Sequence, residues 1–501
     1  MILSLTALVF FIFILARTRS RLKYKRSSAS TLPPGPQKFP LIGNMHLFAA
    51  QQQSTHRFLK DLAAKYGPIM HLKLGEVSTF VITSADLAKQ VLKDHDLAFA
   101  QRPQTLATKI MFYGSTDIIF SEYGDYWRQL RKICILELLS SKRVQSYRSI
   151  REEGVSGLLR MILHNSSSCD AQVNISQLII SSNYAITAKA AFGKKCKYQD
   201  AFIACIKEMV KLLGGFFISD MYPSLEVLSV FTGMKRKVQN QHRIIDRILE
   251  DIIKEHREAT PSNDDTEVDL VDVLLRIQRN HNLPFPLTDD NLKAVILDVF
   301  SAGSETSSTA VEWAMSELIR SPRILKKAQE EVRQIFDEKE YVDEAGLHEL
   351  KYLKLIIKET LRLHPSAPLL VPREAREACE IGGYLIPSKS KVIINAWAIA
   401  QSSQYWDEGE RFYPERFENN PVDYKGTDFP FIPFGAGRRM CPGIAFAIAN
   451  IELPLAQLLY HFNWEVPSGK SEDLDMSEEF GITVRRKNDL YLIPRPYSSL
   501  K

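Results

Sequence analysis

The stretch FIPFGAGRRMCPG, residues 431–443, places a single cysteine, Cys441, behind two glycines and two arginines and directly before Pro-Gly. A disulfide has no need of arginines, and a zinc site requires a second Cys or His close by. The six cysteines of the chain are scattered without a C-x-x-C pair, a pattern typical of a reducing compartment. Cys441 therefore indicates a site that requires only one thiolate ligand from the protein.

The residues around Cys441 suit a ligand to haem iron, because the porphyrin supplies the four other donors that a lone thiolate lacks. Gly435 and Gly437 permit positive φ, so the loop can turn tightly and direct N–H groups at the sulfur. Phe434 can pack beside a porphyrin, and Arg439 can pair with a haem propionate. The alternative is a structural cysteine buried in a glycine loop. The spacing F-x-x-G-x-R-x-C-x-G favours the haem ligand, and it is matched at Phe434, Gly437, Arg439, Cys441 and Gly443.

The charge pattern predicts a membrane anchor at the N-terminus. The chain carries a net charge of +5, and six basic residues with no acidic one fall in RTRSRLKYKR (17–26), so the remainder is near neutral and no nucleic-acid partner is expected. These charges follow the apolar run MILSLTALVFFIFILA (1–16). A cleaved signal peptide carries its charges before the apolar run, so a signal anchor is favoured. The positive-inside rule then places the remaining chain in the cytoplasm.

Beyond the anchor, the pattern predicts one mainly α-helical body with a minor β region. Proline-rich TLPPGPQKFP (31–40) indicates a stiff connector. Two short strands are predicted in residues 68–84, helical periodicity dominates residues 125–365, and strand-like alternation returns in residues 382–397. The predicted segments are an anchor with its basic flank (1–26), a connector (27–40) and a single haem-thiolate domain (41–501).

Four further motifs accompany the Cys441 loop, and together they resemble the cytochrome P450 family over nearly the whole chain. The run AGSET (302–306) lies in a long helix predicted over residues 288–322. KETLRLHP (358–365) and FYPERF (412–417) supply Glu359, Arg362 and Arg416, and YWRQLRK (126–132) supplies Trp127 and Arg131. The resemblance implies the P450 fold, with haem b as cofactor and Cys441 as the axial ligand of its iron.

The resemblance also implies roles for the AGSET residues. Gly303 would create a groove in the helix where O₂ binds, Thr306 would hydrogen-bond the bound oxygen or its water, and Glu305 would help to pass protons inward. Many relatives carry Asp where Glu305 stands. The structural alternative is a Ser/Thr cluster that bonds the carbonyls of its own helix.

Further residues are assigned to haem binding and to the core by the same resemblance. Trp127 and Arg131 would reach a propionate, and Arg373 is a third candidate. The structural alternative for each arginine is a solvated side chain. A buried triad that fixes the core near the haem would consist of Glu359, Arg362 and Arg416.

The implied activity is that of a monooxygenase in the endoplasmic reticulum membrane, which uses O₂ and NADPH-derived electrons. The chain has no nucleotide-binding fingerprint, so NADPH–cytochrome P450 reductase is the expected donor, with Arg128 and Lys132 in its docking face. Two other classes fit a haem-thiolate chain. One comprises isomerases and dehydratases that need no reductase, and the other comprises membrane-tethered haem sensors or carriers.

The substrate is expected to be small, lipophilic and uncharged, because the segments that line the pocket in relatives are mostly apolar here. Outside the long helix, only Lys109 and Asp117 bring charge to those segments. The predicted pocket residues are Phe112, Phe217, Ala302, Leu369, Leu370 and Ile482. The resemblance to plant microsomal terpenoid oxidases indicates a macrocyclic casbene-type diterpene as the first candidate substrate. A sesquiterpene hydrocarbon, or another apolar product of plant secondary metabolism, is the alternative.

Overall fold

The computed structural model describes residues 32–49, 51, 53–166, 170–193, 199–214, 218–225, 233–258, 268–280, 283–339, 341–479 and 481–497. The predicted anchor and basic flank lie outside these ranges, as do residues 27–31 of the connector and Phe217 of the predicted pocket. The division of the chain at residues 26 and 40 stays a prediction.

Helices dominate the described structure, and the strands are short, which confirms a mainly α fold with a minor β region. The helices are α1 (Met45–Ala49), α2 (Thr55–Tyr66), α3 (Ala85–Lys89), α4 (Leu106–Met111), α5 (Asp125–Ile133), α6 (Ser141–Ser146), α7 (Arg148–Asn165), α8 (Ile175–Phe192), α9 (Gln199–Leu213), α10 (Ile218–Met221), α11 (Met234–Glu258), α12 (Leu270–Arg279), α13 (Asp289–Arg320), α14 (Pro322–Phe336), α15 (Lys351–Leu363), α16 (Ala396–Ala400) and α17 (Ile444–His461). The strands are β1 (Ile69–Leu74), β2 (Val77–Ile82), β3 (Val173–Asn174), β4 (Arg373–Glu374), β5 (Cys379–Ile381), β6 (Tyr384–Ile386), β7 (Lys391–Ile394), β8 (Phe462–Glu465), β9 (Glu478–Glu479), β10 (Arg485–Arg486) and β11 (Tyr491–Pro496). Single π-helical turns continue α3 at Gln90–Asp94 and α5 at Cys134–Leu138.

The long helix α13 confirms the prediction of a helix over residues 288–322. Thr288 caps its first turn, since its hydroxyl accepts the N–H of Asn291 at 3.2 Å, and Pro322 begins the next helix. Almost every side chain of α13 is buried, because α8 and α17 both pack against it. Helix α17 is long and apolar enough to cross a membrane, but most of it is buried in this core.

Four of the strands form one sheet, in the order β1-β2-β7-β4. Strands β1 and β2 form the antiparallel pair predicted in residues 68–84, and β7 joins β2 in parallel. Strand β3 was not predicted, because helical periodicity surrounds it; it pairs with β11 from the C-terminal end.

The described part of the connector packs on this sheet. The N–H of His71 in β1 donates to the carbonyl of Pro34 at 2.9 Å, and Asn44 donates from its side chain to the carbonyl of Gln37 at 3.0 Å. At Gly35 a Cβ atom would lie 2.2 Å from the carbonyl oxygen of His71, so only glycine permits this approach. Residues 34–44 therefore belong structurally to the folded body.

Candidate active site

The Cys441 loop has the tight geometry that its glycines predict. Gly435 and Gly437 adopt φ values of 72° and 69°, and a Cβ at Gly437 would lie 1.8 Å from the carbonyl oxygen of Leu92. The loop closes through a 3.0 Å hydrogen bond from the Cys441 N–H to the carbonyl of Phe434. The Cys441 sulfur accepts the N–H of Gly443 at 3.4 Å.

The thiol of Cys441 lies directly before α17 and keeps accessible surface. Surrounding protein atoms raise its pKa by desolvation, whereas the Gly443 N–H and the positive charge of Arg131 lower it. A metal ion deprotonates a coordinating thiol, so these two groups would favour the ligand form of Cys441.

Close packing brings α13 against the first turn of α17. A Cβ at Gly303 would lie 3.0 Å from the ring of Phe446, so the missing side chain lets α17 approach α13. The glycine thus has a packing role beside the predicted groove. Ala302 is exposed in a helix that is otherwise almost entirely buried, which leaves one face of the AGSET turn open.

Thr306 and Glu305 turn toward different partners. The Thr306 hydroxyl donates to the carbonyl of Ala302 at 2.6 Å, the contact expected from a Ser/Thr cluster, and its oxygen still has lone pairs to accept a further bond. Glu305 is buried and accepts the hydroxyl of Tyr184 from α8 at 3.0 Å. Adjacent residues of a helix diverge by about 100° because one turn holds about 3.6 residues, so a concerted role of this pair stays a prediction.

Four buried or half-buried arginines lie close together beside the Cys441 loop: Arg102, Arg131, Arg373 and Arg439. Within the described part of the chain, none of them has a carboxylate at ion-pair distance. Burial and the neighbouring guanidinium groups lower the pKa of Arg439 to about 9, and burial lowers the pKa of Arg373 to about 10. Three of these arginines donate hydrogen bonds to backbone carbonyls. Arg439 donates to Ala100, Ile118 and Ser121, Arg373 donates to Ala436, and Arg102 donates to Ile119, Val371 and Pro372.

Trp127 lies in the same cluster. Its ring faces the guanidinium carbons of Arg439 and Arg131 at 4.2 and 5.6 Å. The indole N–H donates to the carbonyl of Ile118 at 3.0 Å, so its contact with a propionate stays a prediction. Phe434 is partly buried, with its ring 5.6 Å from that of Tyr424.

The predicted triad is present and buried. Arg362 donates to both carboxylate oxygens of Glu359 at 2.7 and 2.8 Å, and Arg416 donates to the same group at 3.0 Å. Arg362 also bonds the carbonyls of Ala400 and Gly409. Because a bidentate pair is directional, the triad fixes α15 to the segment that follows α16.

A cavity of about 190 Å³ lies between the four-stranded sheet, α10 and residues 368–372. Three of the predicted pocket residues, Leu369, Leu370 and Ile482, line it, and their contact with a substrate stays a prediction. The side chain of Leu370 also lies 3.9 Å from the position that a Cβ would take at Gly435, so this wall borders the Cys441 loop. The other two described pocket candidates do not line the cavity. Phe112 is buried against Phe120, and Ala302 lies on α13.

The charges of the cavity differ from the prediction. Lys109 is exposed, and Asp117 is fully buried with its carboxylate on the N–H groups of Ile119 and Phe120. Instead, Asp220 and Lys391 reach the cavity wall. Sequence reasoning missed Lys391 because strand alternation assigns it to a face without telling which face is internal. It missed Arg102 because no motif contains it.

The sequence model of the cytochrome P450 family matches residues 33–493. The chain belongs to the cytochrome P450 family. It is 54% identical over 497 residues to desmethyl-deoxy-podophyllotoxin synthase of Sinopodophyllum hexandrum, covering 98% of this chain and 96% of the relative. It is 50% identical over 502 residues to premnaspirodiene oxygenase of Hyoscyamus muticus, covering 99% of this chain and 98% of the relative. A solved zebra fish cytochrome P450 with progesterone superimposes with a TM-score of 0.76 at 22% identity, over 89% of this chain and all of that one.

As a P450, the protein is a haem-thiolate monooxygenase that uses O₂ and a redox partner and acts on small lipophilic substrates. The residues present fit haem on structural grounds. A lone thiol with accessible surface borders a cluster of guanidinium groups that has no paired carboxylate among the described residues. The two haem propionates would offset two of the four positive charges of this cluster.

Proposed function

We propose that this P450 hydroxylates or otherwise oxidises a lipophilic terpenoid, with a macrocyclic casbene-type diterpene as the first candidate. The observation that supports it is the cavity lined by Leu369, Leu370 and Ile482, whose wall borders the Cys441 loop at Leu370. Apolar walls hold a ligand by shape and exclude water from it. The similarity to premnaspirodiene oxygenase, a terpenoid oxidase, favours a sesquiterpene hydrocarbon as the second candidate.

In this proposal, Cys441 ligates the haem iron, and the haem when bound supplies the binding and activation of O₂. Thr306 and Glu305 control proton delivery to the open face of α13. Phe434 and Gly437 shape the loop beside the porphyrin. The propionates are held by Trp127, Arg131, Arg373 and Arg439.

The redox partner in this proposal is NADPH–cytochrome P450 reductase in the endoplasmic reticulum membrane, where residues 1–26 anchor the chain as a single span. Support comes from the exposed surface of α5 and the π-helical turn after it. Arg128 and Lys132 are exposed there, next to the apolar side chains of Ile135 and Leu136. Positive and apolar groups side by side suit an acidic protein partner.

The proposal is tested by co-expressing the enzyme with a reductase and a panel of diterpene and sesquiterpene synthases, and by identifying products with mass spectrometry. We expect an oxygenated product from a casbene-type or a sesquiterpene synthase, formed only when reductase and NADPH are present. Product without reductase would indicate an isomerase or dehydratase activity. Absence of product and of any ligand-induced change of the iron spin state with every terpene would contradict the terpenoid assignment.

A further inference from the structure

One face of the four-stranded sheet forms a wall of the cavity. Alternate residues of its strands line this wall: Leu72 and Leu74 from β1, Thr79 and Val81 from β2, and Lys391 and Ile393 from β7. The residues between them, such as Phe80 and Val392, are buried in the core on the opposite face. Because strand side chains alternate, the register of β7 directs the Lys391 side chain into the cavity.

Two hydrogen-bond donors on this wall have no acceptor. Thr79 is fully buried, and its hydroxyl has no hydrogen-bond partner in the described structure. The ammonium group of Lys391 likewise makes no hydrogen bond or ion pair with any described residue. Thr79 and Lys391 are register partners in the parallel pair of β2 and β7, so their side chains are neighbours on one face, with strands about 4.8 Å apart.

The charged groups around Lys391 are held by other contacts. Asp220 accepts the N–H of Leu106 at 2.8 Å, and Glu374 accepts Lys389 at 3.4 Å. Burial lowers the pKa of Lys391, whereas the negative charges of Asp220 and Glu374 raise it. These carboxylates partly balance the ammonium charge, so an uncharged acceptor fits the wall better than a further anion.

The remaining polar groups of the cavity are satisfied within the protein. Thr105 and Thr108 bond each other in a helix cap, and the Thr55 hydroxyl accepts the amide of Gln51 at 3.3 Å. Thr79 and Lys391 are therefore the polar pair of the described cavity wall whose donors have no acceptor within the described protein. A buried donor left without an acceptor is unfavourable, so a ligand that supplies one gains affinity.

We infer that Thr79 and Lys391 form a polar subsite that binds a carbonyl oxygen of the substrate, so that the cavity binds an uncharged terpenoid more tightly when it carries a carbonyl group than as the parent hydrocarbon. A carbonyl oxygen has two lone pairs and can accept one hydrogen bond from each side chain. A ligand held at this end is oriented along the apolar wall toward Leu370. The inference rests on the proposed function, that the cavity holds a terpenoid. A preceding oxidation of the hydrocarbon would supply such a substrate.

The test compares the sesquiterpene hydrocarbon valencene with nootkatone, a ketone on the same carbon skeleton. Dissociation constants are measured by spin-state titration of the purified full-length haem enzyme and of its Lys391→Met and Thr79→Val variants. We expect wild type to bind nootkatone more tightly than valencene. Lys391→Met should weaken nootkatone about ten-fold or more and Thr79→Val about three-fold or more, with valencene changed less than about two-fold in both.

Lys65→Met, which removes an exposed lysine at the end of α2 that makes no ion pair with a described residue, serves as the control and should leave both constants unchanged. Neither substitution of the subsite removes a hydrogen bond or an ion pair of the described protein, and both replacements keep most of the side-chain volume, so the melting temperature without ligand should change little. Equal loss of both ligands, or unchanged nootkatone binding in both variants, would overturn the subsite. If wild type bound neither valencene nor nootkatone, the subsite inference would be overturned, whereas the terpenoid function fails only if the synthase panel also gives no product.

Discussion

The hydroxyl of Thr306 donates to the carbonyl of Ala302 and keeps lone pairs for a second partner on the open face of α13. We expect Thr306→Ala to lower the product formed per NADPH consumed several-fold while haem content stays close to wild type. The fold should tolerate the change, because one hydrogen bond contributes only about 1 kcal/mol to stability. Thr306→Ser keeps the hydroxyl and should retain most of the coupling. Unchanged coupling in Thr306→Ala would remove the residue from the proton pathway.

Leu370 and Ile482 should decide which carbon of a terpenoid is oxidised. Both line the cavity, and Leu370 also borders the Cys441 loop. A methylene in an apolar pocket contributes about 1–3 kcal/mol to discrimination, enough to change product ratios ten-fold. Leu370→Ala and Ile482→Ala should therefore alter the product distribution on the preferred terpenoid more than total turnover. Wild-type ratios at reduced rate in both variants would make these residues core packing.

The tight turn before Cys441 depends on Gly437. A Cβ there would lie 1.8 Å from a backbone carbonyl oxygen, and the φ of 69° adds about 1–2 kcal/mol of strain for any other residue. Gly437→Ala should lose most of its haem and unfold at lower temperature. Gly383 has a φ of 79° with open space around it, so Gly383→Ala measures the free-energy cost of a positive φ without a steric clash. Equal effects of the two substitutions on haem content would contradict the steric argument.

The loop before α5 is attached to α13 by two buried carboxyl groups. Asp298 accepts the N–H of Ile118 at 2.7 Å, and Asp117 accepts that of Phe120 at 2.9 Å. Desolvation raises the pKa of Asp117 from 3.8 to about 6, and desolvation together with the charge of Asp117 raises the pKa of Asp298 well above its usual value. A carboxyl with a raised folded-state pKa favours the folded state while it is protonated, and this stability is lost as pH rises through that pKa.

Asp298→Asn keeps an oxygen that can accept the loop N–H groups but removes the charge. Its melting temperature relative to wild type should therefore rise between about pH 4 and about pH 7, where the wild-type carboxyl groups begin to ionise. Asp298→Ala removes the acceptor and should be less stable than wild type at about pH 4. A difference between Asp298→Asn and wild type that does not change with pH would contradict the raised pKa values of the two carboxyl groups.

The packing of residues 34–44 on β1 sets where the chain can be truncated. Deletion of residues 2–26 should shift the enzyme toward the soluble fraction and leave a folded haem protein, because it keeps the contact between Pro34 and His71 of β1. Deletion of residues 2–44 removes the contacts of Pro34 and Asn44 with the sheet and should lower haem content and melting temperature. Loss of haem already in the shorter deletion would make the anchor part of the fold.

The sequence by itself determined the features that depend on neighbours along the chain. The positive φ of Gly435 and Gly437, the limits of α13 and the strands of residues 68–84 follow from local backbone preferences, and the structure confirms them. The pairing of Glu359 with Arg362 follows in the same way, since the two residues are one helical turn apart. Family motifs then placed Arg416 beside this pair, a contact that spacing alone does not predict.

Only the tertiary structure decided what lines the cavity and where the buried charges lie. The Asp117 carboxyl lies beside Asp298, which is far along the chain, and does not line the cavity. Lys391 lines the cavity because β7 pairs with β2, more than 300 residues earlier in the chain. The hydrogen bond from Tyr184 to Glu305 forms because α13 packs on α8. Local pattern gives each side chain a face of its own helix or strand. Which face becomes internal depends on how distant elements pack, and that is set by the burial of apolar surface over the whole molecule.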